Sequence, residues 1–178
     1  MVPDLSTRLQ VMQRSLREVI IPAITPENQL ALEQANMMIG YIAMIMDQHD
    51  RQLHLDLAEL RDYCTLTHEL LELAQSRHIS VPASAAAHTL LRDAAPLAQI
   101  ELPSSKALRG LLRALKSAAD ELLRGVLENG SAEDRDAARK LMLPHSTRQL
   151  LRERVWLIKA GFELEPEKLP SIDSLLAR

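Results

Sequence analysis

The sequence predicts an all-α protein, a bundle of about six helices with an apolar helix at its centre. Apolar residues make up 47% of the 178 residues but aromatic residues only 2%, and there are five Gly, too few for a turn-rich β fold. Residues 27–81 contain no Pro and one Gly, Gly40. Ten consecutive residues in that span, 37–46, carry no charged or amide side chain, so we expect this helix to be enclosed by others.

A chain of this length suits one domain, which we place at 1–165, followed by a tail at 166–178 with a short helix from Ser171. A first helix is predicted from about Asp4 to Ile20, because Leu and Met recur every three or four residues, and Pro22 is expected to end it. A second helix is expected to begin with Thr25 as its N-cap and Pro26 in its first turn.

The polar stretch 47–52 predicts a break after the second helix, with Asp56 capping a third that ends near Arg77. The apolar positions also keep register through this stretch, so one helix of about 50 residues is an alternative, although it would be unusually long. A short helix is expected at 84–94, followed by an irregular stretch between Pro96 and Pro103.

Three more helices are predicted in the second half. The fourth begins at Ser104 or Ser105 and is ended by Asn129–Gly130. Ser131 and Asp134 are expected to cap the fifth, which stops before Pro144. The sixth is expected to start at Ser146 or Thr147 and to end at Gly161, with an apolar contact from Phe162.

Charge and composition exclude several classes of function. The net charge of −3 and the scarcity of aromatic residues argue against nucleic-acid binding. No apolar run approaches the length of a transmembrane span and no signal peptide is evident, so we expect no membrane association and a cytoplasmic location. The single Cys64 falls at helical spacing with Leu60 and Leu71, which favours a buried, unreactive thiol.

A metal site is one hypothesis, because five of the six His lie in the first half. No His has an acid three residues before it, which excludes the diiron carboxylate pattern. Two pairs at i,i+4 spacing remain as candidate ligands of a metal-dependent enzyme: Asp50 with His54, and His68 with Glu72. The alternative is that these are helix-surface pairs, and we expect no cofactor.

A pocket for an acyl-like ligand is a second hypothesis. Its wall would be Met38, Tyr41 and Met44, since Met lines adaptable apolar pockets as well as filling cores. An acid-free run of cations between 106 and 116 would receive an anionic head group, through Arg109, Arg113 and Lys116. The alternative is that this run and the acid-rich stretch 47–72 are solvated faces of two neighbouring helices.

No catalytic residues are predicted, because no nucleophile motif or Gly-rich phosphate loop occurs. The segments Arg14–Ala23 and Glu33–Gly40 resemble uncharacterised bacterial all-α proteins. That resemblance implies a helical fold and no particular site residues. The leading hypothesis is a non-enzymatic interaction or structural protein, a homo-oligomer and specifically a homodimer. Gly40 supports it, because a mid-helix Gly permits two helices to approach closely.

Overall fold

The computed structural model describes residues 3–97, 104–160 and 163–176. All regular secondary structure in this part of the chain is helical, which confirms the all-α prediction. The helices are α1 Leu5–Ser15, α2 Gln29–Gln48, α3 Gln52–Ser76, α4 Ser84–Leu97, α5 Ser105–Asn129, α6 Ala132–Trp156 and α7 Ile172–Leu176. Short 3₁₀ turns follow α6, at Ile158–Ala160 and Pro166–Lys168.

The described residues group into two compact units. The first takes in those of 1–52 and 152–172, and the second takes in those of 53–151 and 173–178. The domain boundary at residue 165 stays a prediction. The short helix expected in the tail is present as α7. Pro103, Gly161 and Phe162, predicted to end an irregular stretch, to end a helix and to contact that helix end, lie outside the described residues.

The first unit is built on α1 and α2, which run antiparallel. The Ser6 hydroxyl and His49 Nε2 share a hydrogen bond of 2.9 Å, and the Gln13 side-chain amide donates to the Ile39 carbonyl at 3.2 Å. Between these bonds a small core forms from Leu9, Leu16 and Ile42, with Ile39 and Met46 packed against it. Gln48 Nε2 donates to the Trp156 carbonyl at 2.6 Å and so joins α2 to the segment that follows α6.

Pro22 does not end the first helix where the sequence predicted. The chain passes from α1 through a π-helical turn at Leu16–Ile20 into a last turn at Ile21–Ala23. A proline cannot donate to the carbonyl four residues before it. The wider turn accommodates this, since the Ile21 N–H donates to the Leu16 carbonyl five residues back.

The predicted break between the second and third helices is confirmed: α2 ends at Gln48 and α3 begins at Gln52. Two predicted caps were wrong. The side chain of Asn28, not Thr25, caps α2 by accepting from the Ala31 N–H. Asp56 does not cap α3, because the helix starts four residues earlier and Asp56 is buried within it.

The core of the second unit lies between α3, α4, α5 and α6. Its largest fully buried side chains are Leu and Val from α3 and α5: Leu60, Leu70, Leu71, Leu108, Leu115, Leu122 and Val126. The apolar run 37–46 of α2 was expected to be enclosed, and this was wrong for the chain by itself. Only Ile42 of that run is buried, because the run carries apolar side chains on more than one face.

Helix α6 continues through Pro144, where two separate helices were predicted. A proline inside a helix costs about 3 kcal/mol through a lost hydrogen bond and a clash. Packing offsets that cost, since Ala138 and His145 on either side of the proline are buried. The helix begins close to the predicted position. The Asp134 N–H donates to Ser131 Oγ and the Ser131 N–H donates to Asp134 Oδ2, so the two residues form a reciprocal cap at the start of the helix.

Candidate functional site

Helix α2 carries two apolar faces on opposite sides. At about 100° per residue, Ala35, Ile39, Ile42 and Met46 share one side, which packs in the core of the first unit. The opposite side carries Leu30, Met37, Tyr41 and Met44. The side chains of Leu30, Met37 and Tyr41 are 67%, 48% and 56% exposed. Such a helix is typical of one that packs between two neighbours, and in the described part of the chain one of its faces is packed in a core.

A groove of about 570 Å³ runs along the exposed face. Its lining is mainly apolar. Six of the lining residues belong to α2 and one belongs to the segment that follows α6: Glu33, Asn36, Met37, Gly40, Tyr41, Met44 and Lys159. Lys159 also lies beside Ala43 and Asp47, so it borders the C-terminal half of α2. Glu33 stands near the other end, about 16 Å from Met44 along the helix axis.

Gly40 lies in the middle of this groove, with open space beside it. A Cβ built on Gly40 would meet nothing within 4 Å outside its own helix backbone. A Gly in a helix interior costs about 1 kcal/mol relative to Ala. Packing within the described residues therefore gives no reason for glycine here, whereas an added Cβ on Gly125 of α5 would lie 2.7 Å from Val81.

The groove also presents polar groups that are unused within the described part of the chain. Neither the Glu33 carboxylate nor the Lys159 ammonium group makes a hydrogen bond or an ion pair there. The Asn36 side-chain amide donates to the Leu32 carbonyl at 2.9 Å, which leaves its side-chain oxygen free to accept. The groove thus combines an apolar floor with one anionic and one cationic group.

The sequence-predicted ligand residues divide between the two units. Tyr41 and Met44 line the groove, but Met38 does not, and Met37 takes its place. The cations predicted to receive a head group belong to α5 in the second unit. Arg109 Nε donates to Asp56 at 2.7 Å and Lys116 Nζ to Glu59 at 2.8 Å. Two of the three predicted cations are therefore held by carboxylates of α3. The two helices are neighbours, as in the alternative interpretation, but their charged faces are paired with each other.

The third cation, Arg113, is exposed, and its Nε donates to the Arg109 carbonyl at 3.3 Å. It has no ion pair among the described residues. One exposed guanidinium is weak support for an anion site. The predicted head-group stripe is thus mainly an interhelical network in the second unit.

The structure does not bring the four predicted metal ligands together, and the metal site stays a prediction. No group of three or more His, Cys, Asp or Glu side chains in them is arranged to hold a metal ion. His54 and His68 lie on the same helix, about 21 Å apart along its axis. Asp50 contacts His49 at 2.7 Å, and His68 and Glu72 form an exposed pair at 3.6 Å.

His145 of α6 is the most enclosed histidine of the second unit, with 3% of its surface exposed. Its ring meets the Tyr63 ring edge-on, with centroids 4.6 Å apart, and neither ring nitrogen has a hydrogen-bond partner among the described residues. Burial lowers the pKa of His145, and the nearby charges of Arg148 and Lys116 lower it further. The ring is therefore held neutral.

Cys64 of α3 is only partly buried. Burial among apolar neighbours raises the pKa of its thiol, so the reactive thiolate is disfavoured at neutral pH. That environment gives it no sign of a nucleophilic role.

Among the described residues no helix combines the length and apolar character needed to cross a membrane.

Comparison with known proteins gives no relative: no family model, curated protein or solved structure matches this chain. The resemblance to bacterial all-α proteins stays a prediction. The groove must therefore be interpreted from its own residues. Sequence reasoning missed Lys159 because it lies more than 100 positions from α2 in the chain. It could have found Met37, since helical periodicity puts Met37 with Tyr41 and Met44 and puts Met38 elsewhere.

Proposed function

We propose that this chain is a non-enzymatic interaction protein that acts as a homodimer through the exposed apolar face of α2. One observation carries the proposal: on the side of α2 opposite its packed face, the large apolar side chains of Leu30, Met37 and Tyr41 stay 48–67% exposed. Exposed contiguous apolar surface on a folded protein typically marks an interaction site. A second copy would cover this face.

The small core of the first unit supports the proposal. Only three large apolar side chains, Leu9, Leu16 and Ile42, form its buried cluster. A larger set from α1, its π turn and α2 is at least 46% exposed: Leu5, Val11, Met12, Val19, Ile20, Leu30, Met37, Met38, Tyr41 and Ile45. Small units with little core are usually stabilised further by disulfides, by a structural metal ion or by oligomerisation. Dimerisation would extend this core across the contact.

Such a contact would stabilise the dimer by burying apolar side chains. Burying one large apolar side chain completely stabilises a structure by roughly 1.5–3 kcal/mol, so finishing the burial of half-exposed Met37 or Tyr41 contributes roughly 1 kcal/mol. In a twofold contact each residue contributes twice. Several such residues can offset part of the cost of association.

The matched pair Met37→Asp and Met38→Asp tests this proposal. The two residues are adjacent and are 48% and 52% exposed, but only Met37 lines the groove. Sedimentation equilibrium should show a dimer for the wild type, a monomer for Met37→Asp and a dimer for Met38→Asp, with unchanged helical circular dichroism in all three. A monomeric wild type, or equal loss in both variants, would contradict the proposal.

A second function is favoured by the groove itself, which brings Tyr41 and Met44 together with Lys159. An acyl chain could lie on the apolar floor while its carboxylate binds Lys159 instead of the predicted cations of α5. Glu33 in the same groove disfavours an anion, so we rank this function below dimerisation. Native mass spectrometry of protein incubated with a long-chain fatty acid tests it: saturable single binding that Lys159→Met abolishes would support it, and no added mass would exclude it.

A further inference from the structure

Building on the proposed dimer, we infer that the two copies of α2 cross antiparallel, with Met37 of each copy seated over the partner's Gly40 and Glu33 of each paired with the partner's Lys159. The inference rests on the proposed function and deepens it. The shape of the groove and the position of its two charges carry it.

The shape of the groove gives the register. Its lining residues on α2 are 33, 36, 37, 40, 41 and 44. The spacing between successive members of this series is the same when it is counted from either end of the helix. If the partner's helix runs in reverse about a twofold axis between Met37 and Gly40, every member faces another member of the series. Met37 then faces the partner's Gly40, where the absence of a Cβ leaves open space.

The charges give the direction. Glu33 stands at the N-terminal end of the groove and Lys159 beside its C-terminal half, and neither has an ion pair within the described residues. In the antiparallel register Glu33 faces the partner's Met44 and so reaches the partner's Lys159. A parallel arrangement would put Glu33 beside the partner's Glu33. A twofold contact needs one patch that carries both signs, and this groove has that property.

The polar groups between the charges fit the same register. Tyr41 faces the partner's Asn36, whose side-chain oxygen is free to accept a hydrogen bond from the phenol. Met44 flanks the seated Met37 of the partner and completes an apolar layer. The apolar floor, the two charges and the free Asn36 oxygen of the groove are thus all used by a second copy of the same chain.

Charge exchange between copies tests the arrangement. Glu33→Lys alone and Lys159→Glu alone each place two like-charged contacts in the dimer, so each should weaken self-association by about tenfold or more. When the two variants are mixed, both contacts again join opposite charges. With one variant ¹⁵N-labelled, native mass spectrometry should then show a mixed dimer as the main species.

A matched control is Lys106→Glu, which reverses an exposed cation at the start of α5. Lys106→Glu alone should dimerise as the wild type does, and mixing it with Glu33→Lys should not restore the affinity of the wild-type dimer. If Glu33→Lys and Lys159→Glu do not rescue each other while the wild type is a dimer, the antiparallel arrangement is wrong and the proposed function stands. A wild type that is monomeric overturns both.

Cross-linking tests the register separately. In a Cys64→Ser background, Met37→Cys mixed with Gly40→Cys should be joined by a short thiol-reactive cross-linker faster than either variant alone. A parallel arrangement would instead join Met37→Cys most rapidly to itself. That outcome, or equal rates for all combinations, would overturn the register.

Discussion

Arg109 of α5 donates from Nε to Asp56 of α3 at 2.7 Å, and Asp56 is buried while Arg109 remains about half exposed. Other contacts also join acids of α3 to cations of other helices. Lys116 bonds to Glu59 at 2.8 Å and also stands 5.1 Å from the centre of the Tyr63 ring, and Arg148 lies 3.5 Å from Asp62. Two of the three cations predicted to bind a ligand, Arg109 and Lys116, thus connect α5 to α3.

Asp56→Ala should destabilise the second unit by about 1–3 kcal/mol, because it removes a hydrogen bond to a charged group at a buried position. Urea denaturation followed by circular dichroism measures this free energy of unfolding. The control Glu121→Ala changes an exposed acid on α5 and should stay within about 0.5 kcal/mol of the wild type. An equal effect from both variants would show that the contact contributes nothing specific.

The His145 ring should make the protein less stable in mild acid. Because its pKa is lowered in the folded state, the unfolded chain binds a proton first as the pH falls below about 6.5. Stability is then lost until the pH reaches the folded pKa. His145→Phe should remove this loss, so the difference in unfolding free energy between wild type and variant should change below pH 6.5 and be constant above it. A pH-independent difference would contradict the lowered pKa.

Gly125→Ala should destabilise the second unit, since its Cβ would stand 2.7 Å from a Val81 methyl carbon. Overpacking of this kind costs about 1–3 kcal/mol. The double variant Gly125→Ala, Val81→Ala relieves the clash and should recover part of the loss beyond additivity in a denaturation cycle. Strict additivity of the two changes would show that α5 does not approach Val81 so closely.

The two open glycines should respond differently to a large side chain. Gly40 of α2 and Gly110 of α5 are both in helix interiors, and a Cβ on either meets nothing within 4 Å. Gly40→Leu should weaken the dimer, because it fills the space that we assign to the partner's Met37, while Gly110→Leu should leave the sedimentation profile unchanged. Equal dimerisation in the two variants would exclude Gly40 from the contact.

Much of the fold could be predicted from local signals. Helical periodicity, the polar stretch 47–52 and the cap formed by Ser131 with Asp134 each predicted an element or boundary that is present. The errors arose where packing overrides local signals. Pro144 is accommodated because its neighbours are buried, and Asp56 lies inside α3, where it accepts from Arg109 instead of capping the helix. Neither fact is readable from adjacent residues.

The groove was only partly predictable for a related reason. The apolar run of α2 correctly indicated a helix, but it did not indicate that Met37, Met38 and Tyr41 stay about half exposed in the described part of the chain. Tyr41 and Met44 followed from periodicity, whereas Lys159 comes to the groove through a distant segment held by the bond from Gln48 to the Trp156 carbonyl. Tertiary contacts of this kind leave no local pattern.

Native mass spectrometry of the tag-free protein, compared with its denatured mass of 20.0 kDa, is the most direct test of the dimer. We expect a species of twice the chain mass with no added ligand, and a species of one chain mass for Met37→Asp under the same conditions. A wild type that stays at one chain mass, or that carries an additional mass lost on denaturation, would contradict a dimer formed through α2.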